Sequence, residues 1–130
     1  MSTQGGHIQL GFTAVTPYLH ATPALRDFLV NAFDAVIDQE PVADPEGRFH
    51  AEARIGGACL MFGDGYFADA TMKAAVYLYV PDVDAAFRRA TALGAQALRE
   101  PADQTWGDRV AGVKDPSGNT WWIATHRPTR

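Results

Sequence analysis

The chain has 130 residues, 47% hydrophobic and 20% charged, with a formal net charge of −4. These are the proportions of one globular domain large enough to bury a core. Its Lys and Arg residues are scattered, which argues against nucleic acid and anionic membranes as partners. The single Cys59 excludes an internal disulfide, no Cys/His spacing reads as a zinc site, and no apolar run approaches the roughly 20 residues of a membrane span.

Residues 1–11 are polar and Gly-rich and lack the basic and apolar regions of a secretory leader, so the expected location is the cytoplasm. A first strand is predicted over roughly 11–20. Thr22-Pro23 reads as N-cap and first helical residue. The helix they open carries Leu25, Phe28, Leu29, Ala32, Phe33 and Val36 on one face. Short apolar runs at 36–41, 48–54 and 58–63 predict three strands. The stretch Gly63-Asp64-Gly65-Tyr66-Phe67-Ala68-Asp69 reads as a flexible loop suited to act as a lid. A strand follows at 73–80. A second helix starts after Pro81-Asp82, capped by Asp82 or Asp84, carries Val83, Ala86, Phe87, Ala90 and Leu93, and stops at Gly94. Strands at 95–100, 109–114 and 119–126 complete the chain. The turn between the last two is Asp115-Pro116-Ser117-Gly118-Asn119. Its Pro fixes φ, its Gly permits positive φ, and its Asp and Asn bond back to the backbone.

This order is strand, helix, three strands, then the same again, and the residues repeat with it. Tyr18-Leu19 and Phe28 match Tyr77-Leu78 and Phe87 at an offset of 59; Ala35 and Glu40-Pro41 match Ala95 and Glu100-Pro101 at 60. Arg48 and Gly57 match Arg109 and Gly118 at 61, placing Leu60-Met61-Phe62 opposite Trp121-Trp122-Ile123. Their collinearity makes a duplicated βαβββ module the better reading. The chain is then one α+β domain: module one about 11–63, a loop at 64–72, and module two about 73–126.

The duplication and three stretches carry a family resemblance. The stretches are Thr16-Pro17-Tyr18-Leu19-His20, Trp106-Gly107-Asp108-Arg109, and Asp115-Pro116-Ser117-Gly118-Asn119-Thr120-Trp121. Over roughly residues 12–126 the chain resembles the vicinal oxygen chelate superfamily of glyoxalase I, bleomycin-resistance proteins and extradiol dioxygenases. Within it the chain is most similar to small glyoxalase-like proteins with this opening and ending. The resemblance implies a cupped, barrel-like mixed sheet with one helix per module outside, and a homodimer whose cavity lies near or across the interface.

Enzymes of that superfamily hold a divalent metal with side chains from the first and last strand of each module. Carried over, those positions are Thr16, Met61, Ala75 and Trp122, and a slip of one residue brings in no His, Asp or Glu. Ala and Trp cannot ligate, and a hydroxyl and a thioether are poor partners for hard divalent ions. The expectation is therefore no metal and no cofactor. A displaced site would need His20, His50 and Glu52 to converge.

Strand alternation predicts what faces the cavity instead. Thr16 brings Tyr18 and His20; Ala75 brings Tyr77 and Tyr79; Trp122 brings Thr120 and Ala124; Met61 brings Cys59. Val76, Leu78, Val80, Leu60 and Phe62 then face the helices. Trp106 closes one end, and Arg109 with Asp108 either anchors an acidic ligand group or forms an ion pair at a strand start. His7, His50 and His126 are expected in solvent and Cys59 as a small buried filler. The predicted ligand-binding set is Thr16, Tyr18, His20, Met61, Tyr77, Tyr79, Trp106, Arg109 and Trp122. An aromatic surface with few polar groups suits a flat, partly apolar ligand.

Two functional classes follow. One is a metal-free binding protein that sequesters a small, partly aromatic molecule, by resemblance to the bleomycin-resistance branch. The other is a lyase or isomerase acting on a small carbonyl compound, metal-free or with a displaced metal, using His20 as general base and tyrosine hydroxyls to polarise the carbonyl. A third outcome is a dimeric domain whose barrel is packed shut.

Overall fold

The computed structural model describes residues 6–9 and 11–127. Module one runs β1 (Tyr18–His20), α1 (Leu25–Phe33), β2 (Val36–Gln39), β3 (Phe49–Ile55) and β4 (Ala58–Asp64). Module two runs β5 (Ala75–Tyr79), α2 (Val83–Ala92), β6 (Gln96–Asp103), β7 (Asp108–Lys114) and β8 (Thr120–His126). The sheets share one topology, β1-β4-β3-β2 and β5-β8-β7-β6. The first strand of each module pairs parallel to the last, and the other pairs are antiparallel. The chain is thus an α+β pair of βαβββ modules. Among the described residues no strand pairing joins the two sheets, so the cup is not a closed barrel.

Local chemistry sets most boundaries. Asp82 caps α2, its Oδ1 accepting the Ala85 N–H at 3.2 Å, and Gly94 ends it at φ 101°. At α1 the expected cap does not form. Thr22 instead offers its carbonyl to the Leu25 N–H, and Ala24 stands at the N-cap without a side-chain bond. Asp34 enters the left-handed region at φ 58° and stops α1, which leaves Val36 as an exposed strand residue rather than a helix-face one. Leu93 caps α2 and is also exposed. The first strand is shorter than predicted: residues 11–17 turn, and the Thr16 hydroxyl donates to the Thr13 carbonyl at 3.1 Å.

Alternation along the strands buries one face of each sheet. Leu19, Ala51, Leu60 and Phe62 of module one meet Ala111, Val113, Trp121 and Ile123 of module two in a single core with the helices. Val76, Leu78 and Val80 pack against its margin. Phe33 of α1 lies 5.0 Å from the Trp121 ring, and the Arg89 guanidinium of α2 donates to the Ala32 carbonyl. Asn119 bridges the modules, donating from Nδ2 to the His20 carbonyl and accepting the Ala74 N–H, at 2.8 and 2.9 Å. The modules join through their helix-bearing sides. Among the described residues no helix is long and apolar enough to cross a membrane.

Candidate ligand-binding faces

The uncovered face of each sheet carries one lateral row of side chains set by strand register. In module one the row is Tyr18, Met61, Glu52 and Gln39. In module two it is Tyr77, Trp122, Gly112 and Arg99. The rows differ at their third position, and that difference shapes the second face. A Cβ at Gly112 would stand 2.5 Å from Trp122 Cζ3, so the indole lies where only glycine leaves room. The Arg99 guanidinium sits over the same ring, 5.3 Å from its centroid. Trp106, on the turn before β7, joins Tyr77, Arg99, Gln104, Val110 and Trp122 around a depression of about 310 Å3.

Asp108 fixes the rim of this face. Its Oδ2 accepts from the Tyr77 and Tyr79 hydroxyls at 2.7 and 2.9 Å, and its Oδ1 faces His126 Nδ1 at 2.7 Å. The Tyr77 bond, then the His126 bond, hold this buried carboxyl down at about 2, against a desolvation that pushes the other way. Both tyrosine hydroxyls are committed to the carboxylate, which leaves their rings half exposed beside Trp122. A carboxyl depressed on folding stabilises the native state above its unfolded pKa, and that contribution disappears as pH falls from about 4 to 2. The expected result is a stability gap between the native protein and Asp108→Asn that narrows over this window in urea titrations. A gap constant from pH 5 to 2 would show that Asp108 is not so held.

Arg109 does not reach this face. Adjacent strand residues point to opposite sides, so Arg109 lies against α2, its Nε 3.2 Å from Asp84 Oδ2 and its Nη1 3.2 Å from Asp103 Oδ1. Arg109 forms ion pairs, but with Asp84 and Asp103 and not with its neighbour Asp108.

On module one, Tyr18 Oη lies 2.9 Å from His50 Nδ1, and His50 Nε2 lies 2.9 Å from Glu52 Oε2. With the Nε2 proton facing the carboxylate, Nδ1 accepts from the hydroxyl. Burial, then the Glu52 charge, raise the Tyr18 hydroxyl above its ordinary value. Neither His50 nor His126 is simply solvated, contrary to expectation, because His50 meets Glu52 two residues along its own strand and His126 meets Asp108 on the neighbouring strand. His20 is buried, its Nε2 3.2 Å from Asp64 Oδ1 and its Nδ1 without a partner among the described residues. Phe67 packs edge-on to Tyr18 at 5.5 Å. The loop is tied down by Tyr66, which donates to Asp44 and lies under Arg48. Cys59 is buried, and its thiol, raised by that burial, donates to the Gly11 carbonyl.

The predicted aromatic residues therefore do not share one pocket in a single chain. Tyr18, His20 and Met61 lie on sheet one, while Tyr77, Tyr79, Trp106 and Trp122 lie on sheet two. Thr16 sits before β1 beside Met61, at a separate depression that His7 also borders. The cause is the shared core: joining the modules through their helix sides leaves the two other faces apart.

The four metal-equivalent positions do not fit a divalent ion. Ala75 and Trp122 offer no donor, the Thr16 hydroxyl is bonded locally, and a guanidinium already covers Trp122. His50 pairs with Glu52 and His20 with Asp64, so the displaced trio does not converge. Among the described residues no three His, Cys, Asp or Glu side chains are placed to hold a metal. Sequence reasoning missed Arg99 and the Asp108 clamp. A signal existed for the first: the offset of 60 that pairs Glu40 with Glu100 also pairs Gln39 with Arg99.

Comparisons with known proteins agree with this architecture. The Mycobacterium bovis protein Mb0911c is 37% identical over 122 residues, covering 83% of this chain and 80% of that protein. The crystal structure of TioX from Micromonospora sp. ML1 superposes with a TM-score of 0.67 at 29% identity, covering 88% of this chain and 98% of that one. A glyoxalase/bleomycin resistance protein/dioxygenase family enzyme from Burkholderia phytofirmans PsJN shares the fold, with a TM-score of 0.63 at 17% identity over 86% of this chain and 95% of that one. The profile of one superfamily matches residues 10–123. By that match the chain belongs to the Glyoxalase/Bleomycin resistance protein/Dioxygenase superfamily.

Proposed function

We propose that the protein binds a small, partly aromatic molecule, without a metal, on the face built by Trp122, Tyr77 and Trp106, and sequesters it in the cytoplasm rather than transforming it. The observation that carries this reading is Trp122 laid on Gly112 where a metal-dependent relative would present a ligand. The indole packed over Gly112 adds aromatic surface to the depression, and an aromatic pair there is worth roughly 0.5–1.5 kcal/mol beyond the area it buries. The Asp108 clamp supports it further by turning Tyr77 and Tyr79 into hydrocarbon walls whose hydroxyls are already bonded.

A homodimer belongs to the same proposal. Tyr79, Trp106 and Phe67 are 60%, 60% and 74% exposed, a large aromatic area for two uncovered faces. Sheet one of one copy set against sheet two of another would close a cavity that neither closes alone.

The test is a tryptophan-fluorescence titration with mono- and bicyclic aromatic compounds, on protein dialysed against chelator and sized by sedimentation. The expected result is a mass of two chains, saturable binding that survives chelation, and affinity at least about tenfold weaker in Trp122→Ala. Unchanged affinity in that variant removes Trp122 from the site. Binding lost on chelation and restored by zinc, nickel or iron overturns the metal-free reading. A single-chain mass removes the shared cavity.

A further inference from the structure

We infer that the molecule bound beside Trp122 carries a carboxylate attached to its aromatic part, and that Arg99 is the residue that selects it. This rests on the ligand-binding reading above and names its chemical class.

Arg99 is placed by the β6–β7 register, opposite Gly112 and over Trp122, at the edge of the depression that Tyr77 and Trp106 border. Four other arginines are paired with carboxylates, Arg26 with Glu40, Arg48 with Asp44, Arg54 with Asp38 and Arg109 with Asp84. Arg88, Arg89 and Arg127 make no ion pair among the described residues but do not border the depression. Among the described residues no carboxylate lies within ion-pair distance of Arg99. Of the nearby carboxylates, Asp108 is committed to two tyrosines and His126 and Asp103 to Arg109, while the adjacent Glu100 forms no ion pair with Arg99.

The repeat explains the vacancy of charge. In module one the third position of the row is Glu52, an acidic neighbour for whatever stands at Gln39. In module two that position is Gly112 and the fourth is Arg99 in place of Gln39, so the row carries a cation and no anion. The same glycine makes room for the Trp122 ring. Stacking uses the face of the guanidinium and leaves its in-plane N–H groups for a planar acceptor, which a carboxylate meets with two parallel bonds. A flat ring lodged in the depression between Tyr77, Trp106 and the edge of Trp122, with a carboxylate turned to Arg99, satisfies both groups together. A neutral ring satisfies only the first.

The test compares 2-naphthoate with its neutral isostere 2-naphthamide by titration calorimetry on the full chain at pH 7, in the native protein, Arg99→Gln and Arg99→Lys. Arg99 lies on an exposed edge strand, and circular dichroism checks that both variants keep the fold. The expected result is native binding of both probes, with naphthoate favoured about tenfold, a preference erased in Arg99→Gln and only partly kept in Arg99→Lys. In Arg99→Gln the amide should lose less affinity than the naphthoate, so that the naphthoate-to-amide ratio falls toward one. If the native protein binds both probes equally, the inference falls and the aromatic-binding reading stands. If the preference persists in Arg99→Gln, the anion is received elsewhere and the inference falls. If neither probe binds, both fall together.

Discussion

Replacing Trp121 by Ala should lower stability by about 3–5 kcal/mol, the range for removing a fully buried large aromatic. Trp121 has no exposed surface and packs against Phe33 of α1 across the line where the modules meet. Its Nε1–H donates to Asp115 Oδ2 at 2.8 Å, while Asp115 Oδ1 accepts the N–H groups of Ser117 and Asn119. Truncation therefore opens a cavity under α1 and strips a donor from a buried carboxylate that also organises the closing turn. Trp121→Phe keeps most of the volume and should cost about 1–3 kcal/mol, the penalty for one unanswered buried acceptor. Equilibrium urea unfolding measures both. A loss under about 1 kcal/mol for Trp121→Ala would mean that the tryptophan is not part of the cooperative core. Trp122→Ala, one residue on but facing away from the core, should cost far less and show itself in binding.

Asn119→Ala should destabilise by about 2–4 kcal/mol, since it leaves one buried backbone group unanswered at about 1–3 kcal/mol and one part-buried group at about 1 kcal/mol. These groups are the His20 carbonyl of module one and the Ala74 N–H ahead of β5. A side chain of the closing turn thus ties the end of β1 to the start of the second module. Asn119→Asp keeps the acceptor for Ala74 and loses the donor for His20, so an intermediate loss is expected. Urea unfolding, combined with hydrogen exchange at the Ala74 amide, reads the result. Unchanged exchange at Ala74 in Asn119→Ala would remove the bridge from the account.

Much of the fold was legible because it is written in short-range patterns. The α2 cap at Asp82, the strands that straddle Asp115–Asn119, and the alternation that separates Trp121 from Trp122 all follow from neighbours within a few residues. Where local signals competed, the reading slipped. Thr22-Pro23 looked like a helix start, yet the turn that precedes α1 uses the Thr22 carbonyl and begins the helix at Leu25. Val36 continued the helical spacing, yet the left-handed Asp34 had already ended the helix.

The site was legible only in part, for a related reason. Period-two alternation placed Tyr18, Tyr77, Tyr79 and Trp122 on uncovered faces. It also separates Asp108 from Arg109, and reading those two as one anchoring pair lost that distinction. His50 and His126 looked solvated because the carboxylates that meet them, Glu52 and Asp108, are brought to them by strand geometry and pairing.

The sequence by itself determined the duplicated module, its α+β character, and the residues at the four positions where a metal-dependent relative would place its ligands. These depend on periodicity, turn chemistry and side-chain identity, which every residue carries with it. Only the tertiary structure decided that the two aromatic faces stand apart in one chain, that Asp108 clamps the tyrosines, and that Arg99 covers Trp122 with no acidic partner among the described residues. Those outcomes depend on which edges pair and which sides of the modules share a core. Contacts between residues far apart in the chain exist only once the strands are in register.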